Sequence, residues 1–259
     1  MGNQYTNLFA PVRGPGNAVQ SQAGMPIVWF DDFIGAYMAV DLALASESDP
    51  TGHFSETADR GIYLISFDTL VAATQLPAPQ DTADGGWVKC TTDATSGERI
   101  TFQLNGTMFP MVLGRRLLFE TRLKVSATTA DAFFGLGVAN ATDPHASRPA
   151  GFVAFTLTGD ADLEVATGNA STATASTDTG TDIVADTFMV LTIEWDGQKN
   201  VKFMKDGVVV YTVSVSASGL GSTLPTDLTM APILCIESNG AAEALTVDYL
   251  LVVCDRASS

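Results

Sequence analysis

The chain lacks most of the residue patterns on which common chemistries are built. It has two histidines in 259 residues, His53 and His145. Neither has a companion at metal-ligand spacing, so no metal site is expected at either. Its three cysteines, Cys90, Cys235 and Cys254, lie far apart, and no C-x-x-C occurs. That excludes zinc-ribbon and thioredoxin readings and predicts buried free thiols in a reducing compartment. There is no G-x-S-x-G elbow for a serine nucleophile. The E-x-D-x-x-E run of retaining sandwich glycosidases is missing as well. No apolar run approaches the length of a membrane span, and the first residues lack the basic and apolar regions of a signal peptide. These absences predict a protein that is not an enzyme, carries no cofactor and engages no membrane.

Charge is scarce too. Charged residues make up 16% of the chain, against roughly 25% in ordinary soluble domains. What charge there is leans one way: the net charge is −16 and the pI about 4.2. Such a surface repels phosphate backbones, so nucleic acid is not an expected partner. Hydrophobic residues reach 46%, enough for a sizeable core, and Ala, Thr, Ser and Gly fill the remainder. Low charge with much Thr and Val suits extensive sheet.

Residues 1–26 stand apart. They contain no acidic residue, one Arg13, and Tyr5, Leu8, Phe9 and Val12 scattered among Gly and Pro. No helix or strand period is long enough to fold alone, and Gly14-Pro15-Gly16 breaks any element there. The alternatives are a disordered terminus and an extended arm that orders on a partner. The four apolar side chains favour the arm, because a pure linker has no use for them. Tyr5, Leu8, Phe9, Val12 and Arg13 are then the candidate partner contacts.

From residue 27 a sandwich domain is predicted to run to residue 259, with an expanded loop region around 36–85. Ile27–Phe33 reads as a first strand whose aromatics enter the core. Trp87–Thr92 and Arg99–Leu104 read as a hairpin across Ala94–Gly97. Leu117–Val125 alternates: Phe119, Thr121, Leu123 and Val125 share one face, and Glu120, Arg122 and Lys124 the other. Further strands follow every 8–12 residues or so with Gly, Asp and Asn between them, the rhythm of an antiparallel sandwich.

Within this frame the polar motifs read mainly as structure. Asp196-Gly197 and Asp206-Gly207 supply the positive φ angles of tight turns. Glu194 and Asp196 are two residues apart and so resemble a carboxylate pair on one strand face. Gly159-Asp160-Ala161-Asp162 offers too few oxygens for calcium and reads as a turn. Trp29, Trp87 and Trp195 each sit in an apolar strand, which favours core packing over sugar stacking.

Phe133-Phe134-Gly135-Leu136-Gly137, Gly159-Asp160-Ala161-Asp162-Leu163, Thr192–Gly197, Lys205–Val209 and Leu245–Leu250 occur in that order. Together with Trp29-Phe30-Asp31-Asp32-Phe33 they resemble the concanavalin-A-like, laminin-G-like jelly-roll domains of tailed bacteriophage structural proteins. The resemblance implies an all-β, antiparallel jelly-roll β-sandwich. It implies a non-enzymatic virion protein, a capsid decoration (cement) protein on the head surface, made in the host cytoplasm. The implied partners are the major capsid protein and further copies of the chain. The alternative is a carbohydrate- or receptor-binding module of a tail fibre or spike, marked by exposed aromatics on a concave sheet with calcium nearby.

Overall fold

The computed structural model describes residues 27–31, 63–67, 78–82, 85–104, 106–138, 144–145, 148–169, 172–173, 176–216 and 223–255. The proposed arm, with Tyr5, Leu8, Phe9, Val12 and Arg13, lies outside these residues, as does most of the 36–85 region. Among the described residues every regular element of any length is a strand. The first six are β1 (Ile27–Asp31), β2 (Tyr63–Phe67), β3 (Ala78–Thr82), β4 (Gly85–Thr91), β5 (Arg99–Leu104) and β6 (Phe109–Met111). Then come β7 (Leu117–Val125), β8 (Asp131–Gly137), β9 (Phe152–Thr158), β10 (Asp162–Asn169), β11 (Thr172–Ala173) and β12 (Thr177–Asp182). The last are β13 (Met189–Trp195), β14 (Asn200–Lys205), β15 (Val208–Ser214), β16 (Leu228–Glu237) and β17 (Ala244–Cys254).

These strands form two antiparallel sheets. One runs β15-β14-β13-β7-β17-β4-β3, and β1 pairs with β17. The other runs β11-β10-β9-β8-β16-β5-β2, with β12 on β10 and β6 on β16. The predicted jelly-roll β-sandwich is the observed architecture. No described helix is long and apolar enough to cross a membrane.

Alternation decides what lies between the sheets. On β7 Leu117, Phe119, Leu123 and Val125 are buried, while Glu120, Arg122 and Lys124 are half-buried on the outer face. Leu191, Ile193, Trp195 and Phe203 meet Phe134, Leu136, Val153 and Phe155 from the opposing sheet in one core. The Phe155 and Phe203 rings meet edge to face across the sheets at 5.2 Å, a favoured aromatic geometry. β8 and β16 are apolar on both faces. Their outer side adds a second cluster of Phe133, Phe152, Ala154, Ala166, Ile233 and Cys235. The three cysteines are free and buried, as expected. Burial pushes the Cys90 thiol up to about 12 and the Cys254 thiol up to about 11, which keeps them protonated and unreactive.

Two strand expectations are corrected. β4 and β5 are not a hairpin: β4 pairs with β17 and β3, whereas β5 pairs with β16 and β2 in the other sheet. The 92–98 connection crosses between sheets and is tied to the far ends of other strands. Thr92 N–H donates to the Glu243 carbonyl, and Gly97 N–H to the Ser238 carbonyl, both at 2.8 Å. A segment read as loop contains β3 on a sheet edge, where Pro79 costs no needed donor.

Candidate functional site

The outer face of the first sheet gathers the polar and aromatic side chains. β7 contributes Glu120, Arg122 and Lys124. β13 contributes Thr192 and Glu194, because Thr192 pairs with Glu120 and Glu194 with Leu118 across the ladder. β17 contributes more than a regular strand would. Its register against β7 shifts between Val247 and Tyr249. The bulge turns Asp248 and Tyr249 outward together and moves the core positions from Leu245 and Val247 to Leu250, Val252 and Cys254. Bulges commonly re-aim side chains in this way.

The charged groups on this face are interlocked. Tyr249 donates its hydroxyl to Glu120 Oε1 at 2.9 Å, and Thr192 donates to Oε2 at 3.2 Å. Arg122 Nη1 donates to Asp248 Oδ2. Glu194 lies 3.8 Å from Lys202 Nζ on β14. Burial, aided by the Glu120 charge, pushes the Tyr249 phenol well above its ordinary range. It therefore stays protonated as the donor to Glu120.

Beside this network an aromatic group marks an open cleft of about 190 Å³ lined by Trp87, Lys89, Lys124, Ser126, Asp186 and Thr246. Trp87 and Phe188 meet at 5.1 Å between ring centroids, near edge to face. Lys124 Nζ lies 5.7 Å from the Trp87 ring and 5.2 Å from that of Phe188, and Arg122 Cζ is 4.3 Å above Phe188. At the other end of the face Phe30, 52% exposed, lies 6.1 Å from Tyr249.

The motifs read from the sequence fall into place differently. Core packing holds for Trp195, which is buried and donates Nε1–H to the Val112 carbonyl at 3.1 Å. It fails for Trp87, which points outward from β4 because Val88 and Cys90 occupy the core-facing positions. The Trp29 side chain lies outside the described residues. Phe30 also faces outward rather than into the core, being opposite Leu251 on β17. The pair formed by Glu194 and Asp196 dissolves. Asp196 turns into its own loop, where Oδ1 accepts the N–H groups of Gln198, Lys199 and Asn200. Glu194 is instead diagonal to Glu120 on the neighbouring strand, roughly 7–8 Å away at the backbone. Gly159–Asp162 is a turn, as expected: Gly159 has φ +78°, and Asp160 accepts the Asp162 N–H at 3.1 Å. His53 lies outside the described residues, and His145 meets Asp131, at the start of the preceding strand β8, and Glu237, at the end of the distant β16.

No protein-family description matches the chain, and no curated protein matches it. Solved structures with the same fold do. A protein of unknown function from Shewanella oneidensis MR-1 is 12% identical, with 94% of each chain covered and a TM-score of 0.56. A chain from work on endo-acting O-glycanases of the human gut microbiota, which initiate mucin breakdown, is 14% identical. It has a TM-score of 0.55 over 87% of this chain and 98% of that one. An endo-1,3-β-glucanase from Streptomyces sioyaensis is 18% identical, with a TM-score of 0.54 over 93% of this chain and 100% of that one. At such identities the likeness shows the fold alone, a jelly-roll shared with carbohydrate-active proteins. The expectation that the chain is not an enzyme is thereby overturned. It rested on the missing E-x-D-x-x-E run, yet glycan-cleaving proteins share this fold, and Glu120 and Glu194 share one sheet face without that run.

Proposed function

We propose that the chain is a glycan-recognition domain, with the outer face of the first sheet as the binding surface. The observation that carries this reading is Trp87. It is half-buried at the rim of the cleft, beside Phe188, although a strand rich in apolar residues would normally bury it. An aromatic surface offers a platform for the apolar face of a sugar ring, and a few placed polar groups fix orientation. Glu120, Asp248, Arg122 and Lys124 supply acceptors and donors for sugar hydroxyls. The cleft is smaller than the few hundred Å³ of a closed small-molecule site. It suits one ring of a longer oligosaccharide that continues across the sheet towards Tyr249 and Phe30.

Isothermal titration with β-glucan, mucin-type and bacterial-surface oligosaccharides tests this reading. At least one class binds, and Trp87→Ala weakens it about tenfold or more, the equivalent of ~1.4 kcal/mol. Absence of binding across the panel, or equal binding by Trp87→Ala, overturns the proposal. Reducing-end release measured in the same samples reports turnover, with Glu120→Gln and Glu194→Gln as the informative variants, because a pair of carboxylates flanks the scissile bond in glycosidases.

The location we propose is a virion surface, a capsid decoration or a tail fibre, with the acid-free segment 1–26 as the attachment arm. Its support is the resemblance in motif order and the charge contrast between that segment and a chain of net charge −16. Like charge opposes docking of an acidic body on an acidic shell, and the arm escapes that penalty. Deleting residues 1–26 is expected to leave a folded domain that binds the same glycans but no longer co-sediments with its particles. Undiminished decoration by the truncated chain would exclude the arm as the attachment element.

A further inference from the structure

On the opposite sheet, away from the glycan face, three side chains from remote parts of the sequence converge. Asp131 opens β8, and Glu237 closes β16; they are register partners on the outer side of the second sheet. His145 comes from the connection between β8 and β9. One ligand atom from each of the three lies within 4.8 Å of the others. His145 Nε2 is 3.9 Å from Asp131 Oδ1, too long for a hydrogen bond. That nitrogen is buried, with no hydrogen-bond partner. The side chains of His145 and Asp131 are only 15% and 23% exposed. A buried imidazole nitrogen facing two carboxylates without a bond calls for an explanation.

We propose that Asp131, His145 and Glu237 form a binding site for a divalent transition-metal ion of the zinc type. One imidazole and two carboxylates are a donor set for such an ion, and a three-ligand site leaves a fourth position for water. A purely hard ion such as calcium takes six to eight oxygens and gains nothing from the imidazole. Tetrahedral coordination at about 2.0–2.2 Å places ligand atoms roughly 3.3 Å apart. Arg99 on β5 is the register partner of Glu237 on its other side and contributes one positive charge there. The bound ion would tie His145 to two strand ends, and it is independent of the glycan reading.

The test uses the full chain, stripped with a chelator and titrated with zinc chloride. The wild type is expected to retain about one equivalent of zinc after desalting, measured by mass spectrometry of the metal, and to melt higher with zinc than without. His145→Ala is expected to lose at least tenfold in affinity, Asp131→Asn to weaken it, and His53→Ala to bind as the wild type does. If His145→Ala does not fold, cobalt(II) bound to the wild type supplies the readout, as a tetrahedral visible band. No retained zinc, equal retention by a folded His145→Ala, stabilisation by calcium equal to that by zinc, or a cobalt spectrum like that of the aqueous ion would each overturn the site.

Discussion

At the scale of single residues, Asp196 shows how one carboxylate organises a turn. Its Oδ1 accepts the N–H groups of Gln198, Lys199 and Asn200 at 2.7, 2.8 and 3.1 Å, and its Oδ2 accepts Asn200 Nδ2–H at 3.0 Å. Burial pushes this carboxyl up, but the donors outweigh it and hold it below the usual aspartate range. A lowered folded value means that the charged form stabilises the fold above the unfolded value, and that this contribution is lost as pH falls through the folded one. Asp196→Ala is therefore expected to melt lower than the wild type at pH 7. The gap should close between about pH 5 and pH 2. A melting difference that is the same at both ends of that range would refute the assignment. The sequence showed two alike Asp-Gly turns, but they differ. Asp206 and Gly207 both have positive φ, at 52° and 79°, in the two-residue β14–β15 hairpin. At the other site only Gly197 does, at 77°, and a Cβ there would lie 2.9–3.1 Å from the Arg115 backbone. Local sequence announces a bend; the neighbouring chain decides its form.

Strands show the same division between what is local and what is not. The alternation of Leu117–Val125 was legible and put Glu120, Arg122 and Lys124 on the correct common face. The run Phe133–Gly137 was legible as a strand, but its lack of alternation has a cause only the fold reveals: Phe134 and Leu136 enter the main core, while Phe133 enters the second cluster. Gly135 on β8 stands opposite Ala154 on β9. A Cβ there would be 2.3 Å from the Val153 carbonyl oxygen and 2.6 Å from Ala154 Cα. Those are backbone atoms, so no side chain can swing aside. Gly135→Ala is expected to cost about 1–3 kcal/mol or more, read as a lower urea midpoint at an unchanged slope. An unchanged midpoint would show that the two strands separate without penalty. The β17 bulge had a signal too, for the residues that enter the main core change from odd (Leu245, Val247) to even (Leu250, Val252, Cys254). Without a partner strand that phase change carries no meaning.

Over the whole molecule, strand rhythm announced a sandwich, and the absence of helix signals agreed with it. Sheet membership was hidden, since β4 and β5 follow one another in the chain yet belong to opposite sheets. The candidate face was hidden for the same reason. Trp87, Glu120, Phe188, Glu194 and Tyr249 come together only through pairings that join distant strands, and so do Asp131, His145 and Glu237. The pairing of β1 with β17 also sets how the molecule meets a pull. Ile27 stands opposite Cys254, and Asp31 opposite Leu250, so tension between residues 27 and 254 acts across the ladder rather than along it. The five pairs then part in sequence, like a zipper opened from its tab, instead of resisting together in shear. A domain tethered through both of those neighbouring ends would shed its first strand at low force, with β7 and β4 still paired to β17.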